Sequence, residues 1–175
     1  MINTIKNFLT EDECEMIANF ILENEEYVKG LGPDNYSGTS SNSLTGRYQY
    51  FNYLNYKPCD ILIDRLKYHF GECIVQCWAN IFRENECIKP HFHGEGFISA
   101  NIFLSGDSTT GTYYDGIGLL ENEKGSLVYF DSKLIHYTRK NKTDFPRITL
   151  AMDIFTNSEN FSDLKKNSNR YYFIK

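Results

Sequence analysis

The chemistry available to this chain concentrates in four histidines, three of which, His91, His93 and His136, fall in its β-rich half, while His69 falls in a helical segment. Side chains two apart on a strand leave the same face, so His91 and His93 can present two imidazoles side by side, and His136 can supply a third. Neutral imidazoles suit iron, zinc, copper or nickel, and three of them on one face leave coordination positions open for substrate or dioxygen, as a catalytic site requires. The bland alternative is a pair of solvated loop histidines. A later segment adds weight to the chemical reading. In the alternating register of RITLAMDIF, Arg147, Thr149, Ala151 and Asp153 share one face, and Ile148, Leu150, Met152 and Ile154 share the other. If the Arg147 face is interior, a permanently charged fork is buried and needs an anion. That anion is either a carboxylate from outside or an internal ion pair with Asp153.

The elements that must position these residues follow from periodicity and turn chemistry. Thr10 can cap a first helix, Glu13 closes a capping box, Leu9 can staple onto Cys14, and Cys14, Ile17, Phe20 and Ile21 form the apolar stripe. The stretch LGPDNYSGTSSNSLTG, residues 31–46, predicts a long loop and a candidate lid, with Arg47 and Tyr48 at its end reading as a solvated strand start. A second helix is predicted from Pro58 through Leu62, Leu66 and Phe70, with Gly71 ending it. From Cys73 the texture changes to CIVQCWANIF, FISANIFL, SLVYF, LIHYTR and RITLAMDIF, short strand-like runs separated by turn residues. Helices followed by closely spaced strands predict an α+β domain with an antiparallel barrel or sandwich braced by helices. The expected organisation is a single domain over 1–175: helical support over about 1–71, a β-rich core over about 72–156, and a tail over 157–175 that returns to pack on the body.

Composition narrows the classes of function. With 175 residues, 41% hydrophobic and 15% aromatic, the chain can bury a core without disulfides or a structural metal. Its five cysteines are odd in number and lack close paired spacing, which argues against a thiolate zinc site. A net charge of −5 gives no broad cationic field, so nucleic acid is disfavoured as a partner. No apolar run is long enough for a membrane span and the amino terminus does not read as a signal peptide, so the expected location is cytoplasmic.

Taken in order, His91-Phe92-His93, then GSLVYFDSKLIH ending at His136, then Arg147-Ile148-Thr149, the chain resembles the 2-oxoglutarate and Fe(II)-dependent oxygenases. That superfamily carries His-x-Asp/Glu, a distal His, and an Arg followed by a small hydroxyl residue. NFLTEDECEMIANFI resembles the opening helix of the prolyl 4-hydroxylase-like branch, and CWANIFRENECIKPHFHGEGFISANIFL resembles a phage and bacterial subgroup with His-x-His. The resemblance implies a double-stranded β-helix, a jelly roll of the cupin kind. It also implies iron held by His91, His93 and His136, with 2-oxoglutarate as cosubstrate, its far carboxylate on Arg147 and Thr149, and Asn80 and Asn101 as further contacts. Ascorbate would be an accessory reductant. Dioxygen and a peptide, protein or small-molecule substrate, peptide proline among the candidates, would be the partners, with succinate and carbon dioxide released. Two departures stand out. Phe103 occupies a position where the branch often has Tyr, and His93 stands where the triad usually has a carboxylate, leaving Glu95 as a reserve ligand. The missing carboxylate keeps two other readings open: a cupin-type three-His iron dioxygenase without 2-oxoglutarate, and a noncatalytic β-barrel binding module.

Overall fold

Thr10 and Glu13 open the first helix, α1 (Glu11–Glu23), through the reciprocal pair their spacing predicts. The Glu13 amide donates to Thr10 Oγ1 at 3.3 Å, and the Thr10 amide donates to Glu13 Oε2 at 2.8 Å. Two amides that a helix start would otherwise leave unpaired are thereby satisfied. Leu9 and Cys14, the expected staple, are both buried in the main core. The computed structural model describes residues 1–33, 42–156 and 169–175. Most of the expected lid and the first part of the expected tail lie outside them.

A short α2 (Glu25–Gly30), not signalled by any apolar stripe, follows directly. The helix predicted from Pro58 begins slightly later: Lys57–Cys59 form a 3-10 turn, and α3 runs Ile61–Phe70, ended by Gly71 at a φ of 71°. Left-handed backbone at that position suits glycine, as the prediction required.

The strands, in chain order, are β1 (Ile2–Ile5), β2 (Cys73–Phe82), β3 (Ile98–Ser105), β4 (Thr112–Tyr114), β5 (Gly118–Leu120), β6 (Leu127–Asp131), β7 (His136–Thr138), β8 (Arg147–Phe155) and β9 (Tyr172–Ile174). They form two antiparallel sheets, one of six strands in the order β1-β6-β3-β8-β2-β9 and one of three in the order β5-β4-β7. The expected α+β architecture, helices followed by antiparallel sheets, is present, and among the described residues no ladder closes the two sheets into the expected barrel. The prediction also missed β1, β4 and β5. β4 and β5 are three residues each, too short for alternation to register.

In the large sheet, side-chain alternation separates core from cleft. Val75, Cys77, Ala79 and Ile81 of β2, Ile102 and Leu104 of β3, and Ile148, Leu150, Met152 and Ile154 of β8 join the helical residues Ile17, Ile21, Leu62 and Leu66 in one buried cluster. The opposite face carries Trp78, Asn80, Phe82, Asn101, Arg147, Thr149 and Ala151. All ten β2 residues are buried, because one face meets the helices and the other meets the cleft. Near the start of β8 the β3 register shifts between Phe103 and Ser105, and Gly106 follows at a φ of 120°. A Cβ there would stand 2.9 Å from Arg147 Cα, so the bulged strand can pass Arg147 only as glycine.

Glu13 links this scaffold together, since its carboxylate also receives both terminal nitrogens of Arg65 on α3 at 2.7 Å. The Arg65 hydrogen bonds, with help from Thr10, pull its pKa down from 4.5 to about 2. A depressed carboxylate stabilises the fold above its unfolded pKa, and that contribution is lost as pH falls through the folded value. Glu13→Gln should therefore lower the unfolding free energy at neutral pH by about 1–2 kcal/mol. In urea unfolding followed over a pH series, the gap between the two proteins should narrow as pH drops from 4.5 toward 2.

Candidate metal centre

Each of the three histidines has one ring nitrogen already committed. His91 Nδ1 lies 2.9 Å from the Lys89 carbonyl, His136 Nδ1 lies 2.9 Å from the Leu134 carbonyl, and His93 Nδ1 lies 2.8 Å from Asp153 Oδ1. A carbonyl or carboxylate oxygen can only accept, so Nδ1 carries the proton in each neutral ring and Nε2 is left as a bare lone pair. Burial lowers all three ring pKa values: His93 to about 2, with the charges of His136, Arg47 and His91 adding to the effect, His136 to about 4, and His91 in the same direction. The His93–Asp153 contact is therefore a hydrogen bond from a neutral ring. One potential ligand atom from each ring lies within 4.8 Å of the other two, and the Nε2 atoms of His91 and His93 are 3.3 Å apart.

Two lone pairs held face to face at that separation repel unless a cation lies between them. Nitrogens bound at about 2.1 Å and at right angles to one ion would stand about 3 Å apart. The donor set thus fits a divalent transition ion, with nitrogen ligands only and every outer ring nitrogen hydrogen-bonded, the arrangement that fixes tautomer and raises ligand basicity.

The backbone supplies this convergence. His91 pairs with His136 in an isolated antiparallel bridge, with reciprocal amide to carbonyl bonds of 3.1 and 2.9 Å. His136 begins β7. His93 lies beyond the bridge, outside any strand, so the strand expected for the pair is reduced to a single bridge. The alternation survives: Phe92, between the two histidines, points outward and is 59% exposed. Glu95, the reserve ligand, turns away from the cluster and pairs with Lys133 at 3.0 Å, with its side chain 78% exposed. Glycines on both sides keep its segment a turn.

The histidines line one end of a cleft between the two sheets, and Arg147 lies in the same cleft. Arg147 is buried. Its Nε donates to the Thr110 carbonyl at 2.8 Å and its Nη2 to Thr112 Oγ1 at 3.0 Å. Burial lowers its pKa to about 10, which leaves it charged at neutral pH. Among the described residues no carboxylate pairs with it. The internal partner considered from sequence, Asp153, is engaged elsewhere, by His93, by Ser99 Oγ at 3.1 Å and by Arg47. Thr149, on the same face of β8, is fully buried and its hydroxyl has no hydrogen-bond partner. Both features fit an anion entering from outside. Asn80 and Asn101 also line the cleft, Asn80 with its Oδ1 accepting the Gly46 amide at 2.8 Å.

Two participants have roles that the sequence does not indicate. Tyr114 of β4 lines the cleft, and its pKa is pushed up by burial against the partial relief that Arg147 gives. It supplies a buried phenol where Phe103, buried and facing a neighbouring cavity, has none. Arg47, expected as a solvated residue, instead lies 4.5 Å over the Trp78 ring and pairs with Asp153. A three-residue strand in a glycine-rich stretch and a single Arg after a loop carry no periodic signal that could have revealed either.

No protein-family model matches this sequence, and no curated protein matches it. Solved structures do. A Pseudomonas putida prolyl-4-hydroxylase superposes with a TM-score of 0.62 at 14% identity, covering 90% of this chain and 93% of that one. A prolyl hydroxylase from Trichoplax adhaerens, in complex with a hypoxia inducible factor oxygen degradation domain peptide fragment, gives 0.61 at 13% identity over 92% and 86%. HygX from Streptomyces hygroscopicus, with nickel, 2-oxoglutarate and hygromycin B bound, gives 0.61 at 12% identity over 90% and 83%. At these identities the likeness is one of fold alone.

If the cluster is a metal centre, His136→Ala should abolish stoichiometric binding of Co(II), read from its visible d–d spectrum. Glu95→Ala should leave the spectrum and the affinity unchanged.

Proposed function

We propose that this protein is a non-haem iron(II) oxygenase whose ion is held by His91, His93 and His136. The observation that carries the reading is the convergence of three unprotonated Nε2 atoms in the same cleft as a buried guanidinium that has no carboxylate of its own. An iron(II) ion held there would supply the activation of dioxygen and the oxidation of a substrate C–H bond. The chain's part is to bind, orient and keep dry. Arg147 offers a fixed positive charge to a carboxylate and Thr149 adds a hydroxyl donor from two residues along the same strand face. The walls formed by Trp78, Phe82, Tyr114 and Phe130 exclude water and so strengthen that pairing. Asn80 and Asn101 are the further cosubstrate contacts proposed.

In the fuller reading, the carboxylate on Arg147 is the tail of 2-oxoglutarate, and the enzyme is a hydroxylase of the prolyl 4-hydroxylase-like branch, His-x-His subgroup. Its substrate would be a peptide, a protein residue or a small molecule, its products would include succinate and carbon dioxide, and ascorbate would keep the iron reduced. The second reading retains the three-His iron but assigns the carboxylate on Arg147 to the substrate itself, without 2-oxoglutarate. What favours it is the ligand set: three neutral imidazoles, with Glu95 directed away from them. A noncatalytic module would bind no stoichiometric iron.

Anaerobic titration with Fe(II) and then 2-oxoglutarate should develop a weak visible charge-transfer band, followed in air by succinate release coupled to oxygen uptake. Iron binding with neither response would favour the second reading. Arg147→Met should retain Co(II) binding and raise the KM for the carboxylate-bearing ligand about 100-fold, as expected for removing one partner of a buried charge pair.

A further inference from the structure

His91 and His136 direct their Nδ1 protons to carbonyls of their own chain segments, two residues away. His93 has no such anchor. It lies outside any strand, and its ring is held by side chains alone: Asp153 Oδ1 at 2.8 Å and Ser99 Oγ at 3.0 Å. Asp153 is 1% exposed, and Ser99 also donates to its Oδ1 at 3.1 Å. The other oxygen, Oδ2, pairs with Arg47 Nη2. A carboxylate terminates a broad torsion. Held at one oxygen it can turn away from the imidazole; held at both it cannot, and its buried charge is compensated as well.

Arg47 is itself placed with care. Glu86 accepts from the amides of Asn42 and Ser43 and from the Ser43 hydroxyl. Buried Glu25 accepts the Leu44 amide at 3.0 Å while gripping Arg83 through both oxygens. The Leu44 carbonyl receives the Ile81 amide at 2.7 Å, and Asn80 Oδ1 receives the Gly46 amide. The segment delivering Arg47 is thus pinned at three successive positions, residues 42 to 44, and again at 46. From there the guanidinium lies 4.5 Å over the Trp78 ring and reaches Asp153.

We propose that Arg47 is a positioning residue for the metal centre: by fixing Asp153 it fixes the tautomer and ring angle of His93, and so ties the third ligand nitrogen to the segment that follows the long loop. The inference rests on the metal reading above, and the experiment separates the two. Imidazole 15N-labelled protein, free of metal, should show a His93 Nδ1–H resonance protected from solvent exchange. Arg47→Met keeps an apolar stem over Trp78 but removes the charge. It should broaden that resonance or speed its exchange by at least ~10-fold, and weaken Co(II) binding by ~10-fold, the lower end of what outer-shell partners contribute. Arg47→Lys should restore most of both. In an Asp153→Asn background, Arg47→Met should add nothing further, whereas an effect of Arg47 that does not run through Asp153 would give additive losses in both readouts. Arg47→Gln repeats the comparison should the Met variant fail to fold. An unchanged His93 signal and Co(II) affinity in the folded Arg47 variants, or full additivity with Asp153→Asn, would overturn the proposal. A wild-type protein that has the protected signal, loses it in Arg47→Met and never binds Co(II) would support the ring-positioning role and sink the metal reading.

Discussion

Three neutral imidazoles pressing unprotonated nitrogens toward one another is an arrangement that a folded chain does not reach by hydrophobic burial. It is reached here because each ring is held from behind by a hydrogen bond. Each ring turns its proton outward to an acceptor that cannot donate, so the inward nitrogens have no way to relieve one another by exchanging a proton. The inward nitrogens are thereby left as three converging lone pairs, the donor set a divalent transition ion takes.

Strand β8 is where scaffold and site meet. One of its faces, Ile148, Leu150, Met152 and Ile154, belongs wholly to the core, and that commitment fixes its register against β2 and β3. Because register is fixed, the other face is fixed too, with Arg147 and Thr149 toward one end of the cleft and Asp153 behind His93 at the other. A slip of one residue would send the guanidinium into the core and Ile148, Leu150, Met152 and Ile154 into the cleft. The same packing that stabilises the sheet therefore sets the spacing between the buried guanidinium and the histidine cluster.

The parts of this organisation that obey a period could be read from the chain. The capping box at Thr10 and Glu13, the stop at Gly71 and the two faces of β8 are local or periodic, and the structure carries each as the residues indicate. The alternation that brings His91 and His93 to one side also holds, although the strand that would produce it is only a bridge to His136. What could not be read depends on chain segments far apart in sequence. Asp153 could be paired with Arg147 or with something else on sequence grounds, and only the return of the segment after residue 46 across Trp78 decides that its partner is Arg47. Tyr114 sits in a strand three residues long, whose identity comes from pairing with β5 and β7 rather than from its own composition. The residues 34–41 and 157–168 lie outside the described structure, and with them most of the candidate lid and the start of the tail.

Strand β2 presents a long, wholly buried apolar sequence whose flank away from β8 would otherwise offer a row of free backbone groups. That flank is closed in two pieces. β9 zips onto Cys73–Val75, and at the opposite end the Leu44 carbonyl takes up the Ile81 amide. Both pieces come from outside the central strands, and each takes backbone groups of that edge out of reach of a foreign strand. The stretch that carries Arg47 to the histidines thus also covers part of the margin of the largest sheet.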